Sequence, residues 1–354
     1  MNQRLEQVKK TINQLGLDGI YITNITNVRY LSGFTGSAGS LLILNDEQYF
    51  YSDGRYIEQS KKEIKNFTIC IDNDIHLNII NKNNHIKNSK IGFEAIHTSV
   101  SLYNQMKSIF KDCNWEPTEG IVELIAAVKD NDEIESLKTA VEITDKVFDE
   151  ILSDLKIGAK EIDISARISY LFKKFGAEGD SYDPIIASGW RGALPHAKPT
   201  DKKFENGDFV VMDFGALYNG YHADMTRTVL IGDATDQHHA IYNTVLKSQL
   251  AGVQFAKAGV TGKELDSVCR NVIKEKGYGD KFIHSTGHGL GLEVHTYPRI
   301  SQINKKPLLE NYVITIEPGI YIPDWGGVRI EDDCWIRKEQ CVPLNRSTKE
   351  LLIL

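Results

Sequence analysis

The stretch Phe209-Val-Val-Met-Asp213-Phe-Gly-Ala-Leu-Tyr218-Asn219-Gly220-Tyr221-His-Ala-Asp224-Met-Thr-Arg-Thr-Val-Leu230 reads as a β-hairpin, because Asn-Gly between apolar runs is the strongest short-range hairpin signal. A two-residue turn at Asn219 and Gly220 sets Tyr218 against Tyr221, Asp213 against Thr226 and Asp224 against Gly215. Side chains alternate faces along a strand, so Asp213 and Asp224 project from the same face as diagonal neighbours, with backbones about 7–8 Å apart. Two short carboxylates at that spacing can converge on a pair of metal ions about 3.5–4 Å apart. A slip of one residue would send them to opposite faces. A solvated hairpin with surface acids remains an alternative. Against it, Asp213 interrupts an apolar run, and an acid in a buried strand is costly unless paired or metal-bound.

Three further acid or imidazole positions follow. Ile314-Thr-Ile-Glu317-Pro-Gly ends a strand on an acid before a Pro-Gly turn. Gly327-Val-Arg329-Ile-Glu331-Asp-Asp333 puts Arg329, Glu331 and Asp333 on one strand face. By themselves both also read as salt-bridged edge strands. His284-Ser-Thr-Gly-His288-Gly-Leu-Gly-Leu-Glu-Val-His295 holds three histidines in a Gly-rich loop, where backbone can approach a site closely. It lacks the Lys-Ser/Thr ending of a phosphate loop. Together Asp213, Asp224, His288, Glu317 and Glu331 supply four carboxylates and one imidazole, a ligand set for two divalent ions sharing a water.

Around these segments the chain is organised in two parts. Leu5, Val8, Ile12 and Leu15 space an amphipathic helix over 2–16. Strands follow at 19–22, 40–44 and 48–51, with Asn45-Asp46 turning between the last two. Helical patterns at 54–64 and 99–110 and strands at 67–71 and 90–93 complete a small α/β domain over 1–128. Asp130 or Asn131 caps a long helix through Ile134, Leu137, Val141 and Phe148, opening a second domain over 129–354. Further helices are expected near 160–175, 236–257 and 262–276.

The bulk properties narrow the class. A chain of 354 residues exceeds one ordinary core, and 41% hydrophobic with 25% charged residues is a globular composition. A net charge of −7 without a basic patch argues against nucleic acid. No run approaches the roughly 18 apolar residues of a membrane span, and the polar start carries no signal-peptide core. The five cysteines form no Cys-x-x-Cys pair, which points to reduced thiols and a cytoplasmic location.

In six blocks the sequence resembles the pita-bread metallopeptidases, in the branch of Xaa-Pro aminopeptidases and Xaa-Pro dipeptidases (prolidases). The blocks are Leu194-Pro-His196-Ala, Val211-Met-Asp213-Phe-Gly, Tyr221-His-Ala-Asp224-Met-Thr-Arg-Thr, His284-Ser-Thr-Gly-His288-Gly-Leu-Gly, Ile316-Glu317-Pro-Gly-Ile-Tyr321 and Val328-Arg329-Ile-Glu331-Asp. Asn27-Val-Arg-Tyr30-Leu-Ser-Gly33-Phe and Tyr51-Ser-Asp53-Gly-Arg55-Tyr resemble the family's creatinase-like N-terminal domain. The resemblance implies an α+β protein: a C-terminal pita-bread (creatinase/aminopeptidase-like) catalytic domain after a smaller α/β creatinase-like domain. It makes Asp213, Asp224, His288, Glu317 and Glu331 the metal ligands, with Asp224 and Glu331 bridging. His196, His284, His295, Tyr321 and Arg329 then form the surrounding shell and the substrate-facing rim. Trp190 departs from the small residue or proline commoner in the family at that place, which leaves the pocket's shape open.

The implied reaction is hydrolysis of the Xaa-Pro bond at a peptide's N-terminus by a metal-bridging hydroxide. Glu317 shuttles the proton, His295 and His196 assist the developing oxyanion, Tyr321 lines the pocket, and His284 either steadies the imidazole of His288 or lines the pocket beside it. Arg329 either holds the acids or binds a substrate carboxylate. The ions expected are two Mn²⁺, with Co²⁺, Fe²⁺ or Zn²⁺ as alternatives. Small peptides with proline second are the expected partners, and a homodimer the expected assembly. Restriction to dipeptides is the main alternative, and a non-catalytic peptide-binding module a further one. Methionine aminopeptidases typically lack the first domain, and creatine amidinohydrolases lack the ligands. The short first domain and Ser188-Gly-Trp-Arg-Gly-Ala-Leu-Pro-His196 look more like the compact bacterial Xaa-Pro aminopeptidases, a resemblance that implies the aminopeptidase.

Overall fold

The computed structural model describes residues 2–73, 76–82 and 84–354. The chain divides into two compact units, Met1–Ala126 and Ala127–Leu354.

The first unit is built on six strands, β1 (Gly19–Ile22), β2 (Ser40–Leu44), β3 (Gln48–Ser52), β4 (Thr68–Ile71), β5 (Lys90–Glu94) and β6 (Asn114–Thr118), in the order β4-β3-β2-β1-β5-β6. The pairs β1–β2 and β2–β3 are antiparallel, while β3–β4, β1–β5 and β5–β6 are parallel. The first helix, Asn2–Gln14, buries Leu5, Val8 and Ile12 and leaves Leu15 exposed beyond its end. Three short helices, Ile25–Ser32, His76–Lys82 and Ile121–Ala127, add to those expected from periodicity.

The second unit opens with the helix Asn131–Ile151. Asp130 accepts the Glu133 amide, and the Glu133 side chain accepts the Asp130 amide, a reciprocal cap. With the helix Glu161–Lys174 it packs an apolar core through Val147, Phe148, Ile168, Phe172, Met212 and Phe214. A second helix pair, Asp236–Phe255 and Gly262–Glu275, packs a second core through Ile241, Val245, Leu265, Cys269, Ile314 and Ile316. Each pair lies on antiparallel strands. These are β7 (Gly179–Asp180), β8 (Ile185–Ser188), β9 (Phe209–Phe214), β10 (Ala216–Tyr218), β11 (Tyr221–His222), β12 (Met225–Leu230), β13 (Gly287–Gly289), β14 (Thr296–Ile300), β15 (Val313–Ile316), β16 (Gly319–Ile322), β17 (Gly326–Arg329), β18 (Asp332–Ile336) and β19 (Cys341–Pro343). They form the sheets β12-β9-β8, β11-β10-β7, β14-β13-β15-β18-β19 and β16-β17.

The hairpin has the expected register. Tyr218 pairs with Tyr221, and Asp213 pairs with Thr226. Asn219 (φ 50°) and Gly220 (φ 76°) are both left-handed, as a two-residue hairpin turn of the I′ type requires. The ladder breaks between the two sheets at Gly215. A Cβ there would lie 1.7 Å from the Ala223 carbonyl oxygen, so only glycine lets the Ala223–Asp224 backbone cross so close. Among the described residues, no helix is long and apolar enough to cross a membrane.

Candidate metal centre

The five expected ligands come from separate elements of the second unit. Asp213 lies near the end of β9 and Asp224 in the break before β12. His288 lies on β13, Glu317 directly after β15, and Glu331 between β17 and β18. Three residues of β12 fix the last of these. Thr226 donates its hydroxyl to Glu331 (2.6 Å), and its carbonyl accepts the Glu331 amide (3.1 Å). Thr228 donates to the Arg329 carbonyl (2.9 Å), and Arg227 donates to the Glu331 carbonyl. The Asp224 amide, at the ladder break, donates instead to Asp333 on β18 (3.0 Å).

The side chains converge. Ligating atoms of Asp224, His288 and Glu331 all lie within 4.8 Å of one another. His288 Nε2 is 3.6 Å from Asp224 and 3.5 Å from Glu317. The Tyr182 hydroxyl stands between Asp213 and Asp224, 2.5 Å from an oxygen of each. Arg329 is buried and spends its donors on the frame: Asp213, the Thr226 hydroxyl (2.9 Å) and the Tyr321 hydroxyl (2.8 Å). Tyr321 can then donate to His284 Nε2 (2.8 Å), while His284 Nδ1 faces the Ser285 carbonyl at 2.8 Å. His284 therefore bonds Tyr321, and not the imidazole of His288. The His288 and His295 rings lie 4.2 Å apart at 52°. His196 and His295 are exposed at the rim, where each bears electrostatically on the site's groups.

The electrostatics favour a cation. Burial, then Asp213, Asp333 and Glu317, pushes the Asp224 carboxyl well above the usual range. Burial, then Glu331, does the same to Glu317. Burial, then Asp224 and Asp213, does it to Glu331. Crowded carboxyls of this kind cannot all ionise without a counter-charge. His288 is held neutral: burial, then His295, lowers its pKa to about 4. The Gly289 carbonyl accepts from Nδ1 (3.1 Å), which leaves the Nε2 lone pair facing Asp224 and Glu317. Oxygen-rich donors with one neutral imidazole fit hard or borderline divalent ions, so the residues present fit the group that their spacing implied.

Tyr182 was not legible in the sequence. It sits in a loop before Asp183-Pro184 with no periodic neighbour, and an isolated tyrosine there looks like any other.

The fold and this carboxylate–imidazole cluster define a class, the metal-dependent peptidases, and comparison with known proteins agrees. The sequence model of metallopeptidase family M24 matches residues 135–338, and that of the creatinase/prolidase N-terminal domain matches residues 4–128. The Xaa-Pro dipeptidase of Pyrococcus furiosus is 40% identical over 99% of this chain and 100% of its own length. Among solved structures, an Xaa-Pro dipeptidase from Bacillus anthracis superposes with a TM-score of 0.96 at 41% identity, covering 99% of each chain. An X-Pro aminopeptidase from Thermotoga maritima superposes with a TM-score of 0.90 at 40% identity, again covering 99% of each chain. The chain belongs to metallopeptidase family M24, as a pita-bread hydrolase carrying the creatinase-type N-terminal domain.

Proposed function

We propose that this enzyme removes the N-terminal residue from peptides with proline in second place, using two divalent ions held by Asp213, Asp224, His288, Glu317 and Glu331. The observation that carries this reading is the convergence of those five side chains, in a family whose relatives here act on Xaa-Pro substrates. Mn²⁺ is our choice for both sites, and a homodimer our choice of assembly.

When bound, the ions supply Lewis acidity and bring the ionisation of water near neutral pH. The protein's own groups do the rest. Glu317, with a carboxyl whose proton affinity is already raised, takes the proton from water and passes it to the departing nitrogen. That nitrogen matters, because an Xaa-Pro bond is a tertiary amide without N–H. His295 and His196 donate hydrogen bonds to the charge that builds on the carbonyl oxygen. Tyr321 and His284, hydrogen-bonded to each other, form a fixed wall for the proline ring.

Arg329 holds the acids. Its guanidinium is committed to Asp213, Thr226 and Tyr321, so it offers no ready socket for a substrate carboxylate. This favours cleavage of longer peptides. Two observations favour the dipeptidase reading instead: the dipeptidase names of the relatives, and the exposed Arg299, whose charge lowers the proton affinity of both His288 and His295. A cation there can meet the C-terminal carboxylate of a dipeptide. Comparing kcat/KM on Xaa-Pro, Xaa-Pro-Yaa and longer peptides, with and without Mn²⁺, separates them. We expect the tripeptide to be cut at least as well as the dipeptide, with activity lost on chelation. Cleavage confined to dipeptides would replace the aminopeptidase with a prolidase. Undiminished activity after exhaustive chelation would end the metal mechanism.

A further inference from the structure

The segment 188–200 carries His196, and its surface is open to solvent. Trp190, Leu194 and His196 are all exposed. Beneath it lies a carboxylate with no exposure at all, Glu161, at the start of the helix Glu161–Lys174. One oxygen of Glu161 accepts from the Ser188 amide (2.8 Å) and the Ser188 hydroxyl (2.9 Å). The other accepts from the Thr200 amide (3.0 Å) and the Thr200 hydroxyl (2.9 Å). Arg191 Nε donates to both oxygens, at 3.2 and 3.0 Å, and its Nη2 donates to the Lys198 carbonyl (2.6 Å). The two ends of the segment and its middle are thus tied to one anion. On the far side, the segment packs against β17: Gly192 lies so close to Gly327 that a Cβ on Gly327 would be 2.0 Å from the Gly192 carbonyl oxygen.

A buried charge is expensive to keep, and its cost is offset only by excellent pairing. Here the pairing goes to a loop that leaves its large apolar side chains in solvent, so core formation is not what the arrangement serves. What the clamp does determine is the position of the loop's centre, Pro195 and His196.

We propose that Glu161 is a positioning residue for catalysis. By clamping Ser188, Arg191 and Thr200 it holds His196 at the rim of the metal centre, where the imidazole meets the reacting carbonyl. The inference rests on the role given to His196 above, and the test separates the two. In the metal-loaded full-length enzyme, Glu161→Gln keeps the size of the side chain but turns a donor toward donors. We expect kcat to fall by about 10- to 100-fold, with KM for an Xaa-Pro peptide and Mn²⁺ stoichiometry unchanged. Hydrogen exchange over 189–199 should accelerate. In a His196→Ala background the same substitution should cost little more in kcat, because both changes remove one function. Thr200→Val, which deletes one donor and spares the charge, should show a smaller version of the same pattern and carries the test if Glu161→Gln misfolds. Additive losses in the double variant, or unaltered exchange in the segment, would overturn the proposal. A fully active His196→Ala with accelerated exchange in Glu161→Gln would instead remove the role of His196 and leave the clamp without a catalytic purpose.

Discussion

Glu331 and Asp332 are adjacent, both buried, and electrostatically opposite. Asp332 receives Arg227 (2.8 Å), Gln249 (2.9 Å) and Lys349. Burial pushes its pKa up, but Arg227 and Lys349 outweigh burial and hold the carboxyl below the ordinary range. Glu331 receives the Thr226 hydroxyl, faces Asp224 and Asp213, and is pushed well above that range. The chain is therefore able to neutralise a buried carboxylate with its own cations and hydrogen bonds. One residue earlier it leaves four acids, Asp213, Asp224, Glu317 and Glu331, around the guanidinium of Arg329. A charge deficit retained beside a balanced one marks the place where the balance is to come from outside the polypeptide.

The sharpest way to break the comparison is to neutralise each neighbour in turn. Glu331→Gln should abolish hydrolysis and Mn²⁺ retention. It should not lower the unfolding midpoint of the metal-free protein, because it removes one member of a mutually repelling set. Calorimetry of metal-free and Mn²⁺-loaded protein reads both outcomes. A metal-free midpoint that drops sharply would mean that Glu331 is a structural acid like its neighbour. Asp332→Asn should do the reverse. It leaves Arg227 and Lys349 facing a neutral group and should cost about 3–5 kcal/mol of stability, as breaking a buried ion pair does. Denaturant midpoints at constant metal check this, and an unchanged midpoint would show that the pair breaks even.

The same contrast explains what could be read in advance. The hairpin was legible because Asn219-Gly220 between alternating runs sets the turn, and the turn sets every pairing back to Asp213. Asp213 stood out because an acid interrupts Phe209–Phe214. The position of Glu331 beside Asp224 was not legible from spacing: it depends on the Thr226, Arg227 and Thr228 contacts with 329–332, which join residues about a hundred positions apart in sequence. It came from the family resemblance. Arg329 had two roles open, and only its contacts with Asp213, Thr226 and Tyr321 favour the frame over the substrate. The Glu161 clamp was invisible, because one acid at a helix start gives no sign of the loop it will hold. Short helices such as Ile25–Ser32 escaped because eight residues span barely two turns, too few for a periodic pattern.

The smallest expected effect concerns the group that sits between two of the crowded acids. The Tyr182 hydroxyl is held protonated, its acidity suppressed by burial first and then by Asp213 and Asp224. It has one hydrogen for two carboxylate oxygens. Its contribution is to fix the distance and orientation of Asp213 and Asp224, not to neutralise them. Tyr182→Phe keeps the ring and deletes that contact. Outer contacts to metal ligands are worth about 10- to 100-fold in affinity or activity, so Mn²⁺ should bind that much more weakly. The fold should stay intact, and kcat at saturating metal should be closer to that of the unaltered enzyme than the affinity is. Titration calorimetry with Mn²⁺ decides it. Unchanged affinity would make Tyr182 a wall of the pocket, and would shift the task of aligning Asp213 and Asp224 to Arg329 and to the Asp333 bond that holds the Asp224 amide.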